Sequence, residues 1–216
     1  MGGTLIECAP SMVNPSADAP SCTPEAEAAL VRHAQAGDLD AFNSLVEIHQ
    51  RAVFNLCLRM IGNHASAEDG TQDAFLSAYR GIHTYQGPSF RAWLLRIAAN
   101  AATDELRRRG RRPALSLDVP PPGSDEPIDV PDRTPGPETQ TLRLEQQELV
   151  QTALLALPAD QRLAVVLCDM QGFAYDEIAA ATQVSIGTVK SRIARGREKL
   201  RAAWLHQEQM SVQDRQ

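Results

Sequence analysis

Aromatic residues are scarce in this chain: two Trp, three Tyr and five Phe make up 5% of 216 residues, while 43% of the residues are hydrophobic. A core with so few rings must be filled by aliphatic side chains, a mix typical of helical proteins. Cysteine is equally sparse. Cys8, Cys22, Cys57 and Cys168 form no CxxC pair and have no His at metal-ligand spacing, so no metal site is expected. Cys57 and Cys168 fall in apolar helical runs and read as small core residues. No apolar run approaches the roughly 20 residues of a membrane span, and the N-terminus lacks the basic-then-apolar order of a signal peptide. A cytoplasmic protein without membrane insertion is expected. Nor is there a nucleotide-binding loop, a metal cluster or an activated nucleophile, which argues against an enzyme and against any cofactor.

The net charge is -6, and it is unevenly divided along the chain. Residues 1–23 carry no basic and 2 acidic groups, 24–112 carry 11 and 10, 113–148 carry 2 and 8, and 149–216 carry 8 and 7. The acidity therefore lies in the leader and the middle. Positive charge gathers at Arg107–Arg112 and at Lys190–Arg201, and it is the local footprint that a polyanion meets.

The second of those clusters belongs to the most informative stretch, FAYDEIAAATQVSIGTVKSRIARGREKLRAAW, from Phe173 to Trp204. Ile178 and Ala179 precede a polar turn at Thr182 and Gln183. Val184, Val189, Ile193 and Leu200 then recur at helical spacing on one face, while the other face is cationic. Ser185 stands where an N-cap belongs, followed by the slight Gly187 and Thr188. This is a helix-turn-helix suited to DNA: a helix entering the major groove by its N-terminal half presents Thr188, Lys190, Ser191, Arg192 and Arg195.

Taken in order, Met1–Thr23 reads as a disordered leader with Pro10, Pro15 and Pro20. A short helix follows from Pro24, with Glu25 and Glu27 in its first turn and Gly37 at its end. The next begins with Asp40 as cap and runs with Phe42, Leu45, Val53, Leu56 and Met60 toward the core until Gly62; His49 on it is expected at the surface or an interface. In the helix after that, capped by Ser66, Asp69, Gln72, Asp73 and Leu76 form an acidic and polar strip, either solvated surface or a docking face. The loop HTYQGPSF is turn-rich and aromatic, and Phe90 starts a helix with Trp93, Leu94 and Ile97 inward and Asn100 and clustered Arg outward. Aromatic faces and guanidinium groups together suit an unstacked single strand. Residues 113–137 hold eight of the fourteen prolines and five acids and read as a flexible linker. Two further helices, broken at Pro158 and ending at Gly172, then form a platform for the helix-turn-helix.

SAEDGTQDAFLSAYRG, FRAWLLRIAANAATDELRRRGRR, the acidic linker and LPADQRLAVVLCDMQGFAYDEIAAATQVSIGTVKSRIARGREKLR together resemble a bacterial RNA polymerase sigma factor of the extracytoplasmic-function (ECF) group. The resemblance covers residues 24 to about 204. It implies an all-α chain with two small helical domains: a region 2 bundle at 24–112 and a region 4 helix-turn-helix at 138–205, joined by the linker and followed by a tail at 206–216. It further implies that Asp69, Gln72, Asp73, Leu76 and Tyr79 dock on the clamp helices of the largest polymerase subunit, with the flap region as a second polymerase contact. Tyr85, Gln86, Gly87 and Ser89 would capture a flipped base of the melted non-template strand at the minus-10 element, with Asn100, Arg107, Arg108 and Arg109 beside them. Ser185, Thr188, Lys190, Ser191, Arg192 and Arg195 would read duplex DNA at the minus-35 element. An anti-sigma factor joins the candidate partners, and the free chain is expected to be a monomer. The alternative is a one-component regulator that binds duplex DNA without polymerase. Three positions depart from the family's habit: Gly70 in a helix, Ala174 in place of a capping Ser, and Gln183 where the turn usually has glycine and positive φ is needed.

Overall fold

The computed structural model describes residues 23–111 and 137–213. Among them every regular element is helical: α1 (Pro24–Gln35), α2 (Leu39–Ile61), α3 (His64–Gly81), a 3₁₀ turn (Ile82–Thr84), α4 (Phe90–Arg111), α5 (Pro137–Leu155), α6 (Ala159–Val165), a π turn (Val166–Met170), α7 (Tyr175–Thr182) and α8 (Ile186–Gln213). The expected leader, with Cys8 and Cys22, lies outside the described residues but for Thr23, which caps α1 by accepting from the Ala26 amide at 3.3 Å. The Pro-rich linker lies outside them up to Pro137, which opens α5.

Helices α1 to α4 form one module. Its centre is aliphatic: Leu45, Val53, Leu56, Met60, Leu94 and Leu95 are buried with Ala67, Ala74, Ala78, Ala98 and Ala102 between them. Small residues on α3 let α2 and α4 approach closely. Cys57 is enclosed there, and burial pushes its thiol up to about 11, which keeps it protonated and inert. Cys168 is only half-buried, with Sγ 3.7 Å from an Arg197 Nη.

Two caps fall earlier than the sequence suggests. Asp38, not Asp40, caps α2 by accepting from the Asp40 and Ala41 amides. Asn63, not Ser66, caps α3 by accepting from the Ser66 amide. In each case the earlier acceptor sits at the extended residue before the first helical turn, where a side-chain oxygen reaches the orphan N–H groups. His49 is another correction. It is buried, and its Nε2 lies 2.6 Å from Glu27 Oε1 of α1. Burial lowers its pKa, partly opposed by the Glu27 carboxylate.

The second module packs α6 and α7 on α8 through Val165, Val166, Leu167, Ile178, Val189 and Ile193. The two modules touch along the C-terminal end of α2. Gly62, at φ 80, ends that helix, and Leu155 of α5 packs where a side chain at 62 would stand. The buried guanidinium of Arg162 donates to the carbonyl oxygens of Met60, Leu155 (2.8 Å) and Leu157 (3.0 Å). One cation thus closes the carbonyl ends of α2 and α5, where the helix dipoles are negative. Gln151 adds a donor to the Leu58 carbonyl at 3.1 Å and accepts from Arg59 at 2.9 Å. At the other edge Arg91 donates to the backbone and side-chain oxygens of Gln171 at 3.0 and 2.9 Å and lies over the Phe173 ring.

Two expectations follow. Arg162→Met removes the donors from three inward carbonyls and should cost about 2–4 kcal/mol in urea unfolding, with a larger radius of gyration by X-ray scattering because Met60 belongs to the other module. Two helical glycines, Gly70 of α3 and Gly196 of α8, should respond oppositely to alanine. At Gly70 a methyl meets Ile61 Cδ1 at 3.4 Å, an ordinary contact, so Gly70→Ala should gain about 0.5–1 kcal/mol. At Gly196 it meets the stiff Val165 Cγ2 at 2.6 Å, so Gly196→Ala should lose about 1–3 kcal/mol; thermal melts of both variants check the sign.

Candidate nucleic-acid interface

The turn between α7 and α8 is made by Gln183 at φ 55, ψ 39, the one non-glycine residue with positive φ among those described. The Val184 amide donates back to the Ala179 carbonyl at 3.2 Å, which fixes the angle between the helices. Ala174 has no capping oxygen, yet its amide still donates to Glu177 Oε2 at 2.8 Å, so half of a capping box survives. Ser185 is the cap of α8: its Oγ accepts from the Thr188 amide at 3.1 Å and lies 2.9 Å from Thr188 Oγ1.

Buried Val189 and Ile193 face the module's core, which turns the intervening residues outward. Lys190 and Arg195 are exposed; Thr188, Ser191 and Arg192 are half-buried. Ser191 Oγ is turned into its own helix, donating to the Thr188 carbonyl at 2.9 Å. Arg192 pairs with Asp160 of α6 at 3.0 Å, and Arg197 with Asp169. That pair raises the Arg197 pKa. Two of the six basic residues are thus engaged by acids of their own module. Ile186, missed in the sequence, begins α8 with 46% exposure.

The second candidate surface is the loop before α4. Tyr85, Phe90 and Trp93 form an aromatic cluster, with Tyr85 edge-on to Phe90 at 5.7 Å and 5.2 Å from Trp93. Gln86 and Gly87 are exposed beside it. A side chain at Gly87 would begin 3.0 Å from Tyr85 Cε2, so glycine leaves the ring its place. Ser89 is occupied as the cap of α4, accepting from the Ala92 amide at 3.2 Å. Burial, then the Glu27 charge, raises the Tyr85 pKa. The structure does not bring the arginine cluster beside this loop. Helix α4 is continuous, so Arg107 lies about 25 Å along its axis from Ser89 and Asn100 roughly midway. Arg107 pairs with Asp104, Arg108 and Arg109 with Glu105, and Arg109 also donates to Ser66 Oγ.

The third surface is α3. Asp69, Gln72, Asp73, Leu76 and Tyr79 are all exposed on it, Leu76 by 47% and Tyr79 by 40%. Tyr79 stands edge-on to Phe42 at 5.0 Å, and a shallow apolar groove continues from Leu76 and Tyr79 onto Leu39, Phe42 and Val46 of α2. Sequence reasoning found the α3 half and missed α2. Leu39, directly after the cap and 56% exposed, was the available signal.

A two-module helical protein with a helix-turn-helix, an aromatic loop and a mixed acidic and apolar strip is a transcription-type DNA-binding architecture. The family models agree: "Sigma-70 region 2" matches residues 45–112 and "Sigma-70, region 4" matches 147–200. Among curated relatives, the RNA polymerase sigma-H factor of Pseudomonas aeruginosa is 38% identical over 188 residues, covering 82% of this chain and 93% of its own. The ECF RNA polymerase sigma-E factor of Escherichia coli is 38% identical over 173 residues, 79% of this chain and 90% of its own. The ECF RNA polymerase sigma factor SigE of Mycolicibacterium smegmatis is 40% identical over 163 residues, 76% of this chain, and the match spans 61% of that relative's length. The chain belongs to the ECF group of sigma-70 family sigma factors. Solved structures share the fold: CnrH, in complex with the cytosolic domain of CnrY, has a TM-score of 0.58 at 27% identity, covering 82% of this chain and 95% of that one. RpoE of Bartonella quintana, in complex with the anti-sigma factor NepR, has 0.57 at 26%, covering 77% and 98%.

Because Ser185 is the side-chain cap of α8, Ser185→Ala should cost about 1 kcal/mol in urea unfolding; Ser185→Asp, which keeps an acceptor, should recover most of it.

Proposed function

We propose that this sigma factor binds core RNA polymerase through the α3 strip and the adjoining α2 groove, and directs it to promoters by gripping DNA at two separated points. Three distinct exposed surfaces in one chain carry this reading: an acidic-apolar strip, an aromatic loop and a basic helix. The strip suits a basic, amphipathic partner such as a polymerase coiled coil, since Asp69 and Asp73 supply charge and Leu76, Tyr79 and Leu39 supply apolar area. The basic face of α8 suits the major groove. Lys190 and Arg195 stand ready, while Arg192 must exchange Asp160 for DNA.

Melting needs no covalent step. Contacts made only with the open strand, stacking against the Tyr85 cluster above all, shift the duplex toward the melted form. Arg107–Arg109 contribute, in this reading, at the far end of α4 as phosphate contacts rather than within the base pocket. The protein is a binding factor, not an enzyme, and works in the cytoplasm where polymerase and DNA are; among the described residues no helix is long and apolar enough to cross a membrane. An anti-sigma factor is a further partner, supported by the similar RpoE structure solved with the anti-sigma factor NepR.

Transcription in vitro with purified core polymerase and a promoter library tests this directly. Asp73→Arg should weaken core binding by 2–3 kcal/mol, roughly a hundredfold. Lys190→Ala should weaken upstream-element recognition by about 1 kcal/mol or more and leave core binding intact. Normal core affinity for Asp73→Arg would remove the docking assignment, and tight, specific duplex binding without polymerase would favour the one-component regulator instead.

A further inference from the structure

The loop assigned to base capture is held from outside the segment that the region 2 family model matches, which begins at residue 45. Gln35 is the last residue of α1. Its Nε2 donates to two carbonyls of the loop, Ile82 at 3.0 Å and Tyr85 at 2.7 Å. Both partners are acceptors, so the amide must present its NH₂ group to them, with one hydrogen for each. These two carbonyls bracket the 3₁₀ turn, and the Tyr85 amide closes it by donating to the Ile82 carbonyl at 3.0 Å. The other end of α1 is fastened too. Glu27 engages the buried His49 of α2, whose ring lies tilted against Phe90 with centroids 5.5 Å apart, and Phe90 is the residue that Tyr85 meets edge-on. Val31 and Ala34 bury the helix between these two attachments.

We infer that α1 is a strut for the base-capture loop and that Gln35 is a positioning residue, fixing the backbone at Tyr85 so that the exposed Gln86 and Gly87 face a captured base in one geometry. This inference rests on the assignment of the loop to the melted strand. A loop joined only to its flanking helices could swing about Gly81 and Gly87, and a swinging pocket would accept several bases with similar affinity. Two donors from one side chain select a geometry that glutamate, which has none, would repel and that methionine, of the same length, would merely fill.

The test uses the full chain in holoenzyme with Gln35→Met, Gln35→Glu and Gln35→Lys, and Tyr85→Ala as reference. Four fork-junction DNAs, taken from a promoter selected in the library and differing only in the captured base, serve as probes. Gln35→Met and Gln35→Glu should leave core binding unchanged, lose about tenfold in affinity for the preferred fork, and flatten the preference among the four. Amide exchange at residues 83–89 should accelerate in both. Gln35→Lys, which keeps donors at similar reach, should restore most of the preference. A merely structural role would lower the melting temperature without changing base preference, and that result overturns the inference. So does an unchanged preference in Gln35→Met and Gln35→Glu when Tyr85→Ala has lost it. If Tyr85→Ala itself binds and discriminates normally, the loop assignment fails, and the strut falls with it.

Discussion

A single buried guanidinium governs how the two halves of this molecule meet. Helices end with carbonyl oxygens that have no partner, and α2 and α5 end at the same place. Arg162 lies there with donors on both: Met60 on one side, Leu155 and Leu157 on the other. Burial lowers its pKa, yet an arginine keeps its charge, so the site needs those oxygens as much as they need it. Hydrophobic contact alone would let the modules slide. A planar fork answering three fixed carbonyls allows one register, and Gln151, bonded to both Leu58 and Arg59, locks the same edge.

Glycines and caps then shape the surfaces that this register carries. Gly62 lets α2 stop where α5 approaches, and Gly196 lets α6 lie against α8 at a distance that a methyl would already violate. On the functional faces the economy differs. The loop before α4 is held from several sides: Gln35 donates to the Ile82 and Tyr85 carbonyls, Ser89 caps the helix, Thr84 Oγ1 donates to the Gly81 carbonyl, and the rings of Tyr85, Phe90 and Trp93 lean on one another. Past the Tyr85 ring, Gln86, Gly87 and Pro88 are exposed. The basic helix is trimmed in the same way, since Asp160 and Asp169 hold Arg192 and Arg197 and leave Lys190, Arg195, Lys199 and Arg201 to define the charged face. Net charge says little about such a protein; placement says nearly all.

What could be read from the chain were features that local chemistry decides. The helical periods, the ends at Gly62 and Gly172, the cap at Ser185 and the positive φ at Gln183 each depend on a few neighbouring residues. The caps at Asp38 and Asn63 were misplaced by two and three residues because Asp40 and Ser66 offer equally good acceptors, and only the backbone's entry angle chooses between them. Non-local partnerships were illegible. Nothing near His49 announces Glu27, and nothing near Arg162 or Arg91 announces carbonyls about 80 to 100 positions away. Gly196 lies within a basic run, and nothing near it announces that Val165 of α6 fills the place of a side chain there. The groove half on α2 was hidden for a related reason: Phe42 satisfies a core pattern and lines the surface groove at once.

The same non-local bonds join the two surfaces proposed to meet DNA. Arg91 stands two residues past Ser89, at the start of α4, and its guanidinium reaches Gln171 and the Phe173 ring, just ahead of the Ala174 cap of α7. The aromatic loop and the first helix of the helix-turn-helix are therefore neighbours through one side chain. In the proposed function, surfaces held this close would have to part before they reached DNA elements that lie apart along a promoter. Parting them means giving up the Arg91 contacts together with the Arg162 fork and the Gln151 bonds, and each hydrogen bond from a charged donor is worth roughly 1.5–3 kcal/mol. In that reading the cost falls to a partner's interface, so the packing that joins the modules is also what would tie joint use of both surfaces to a partner.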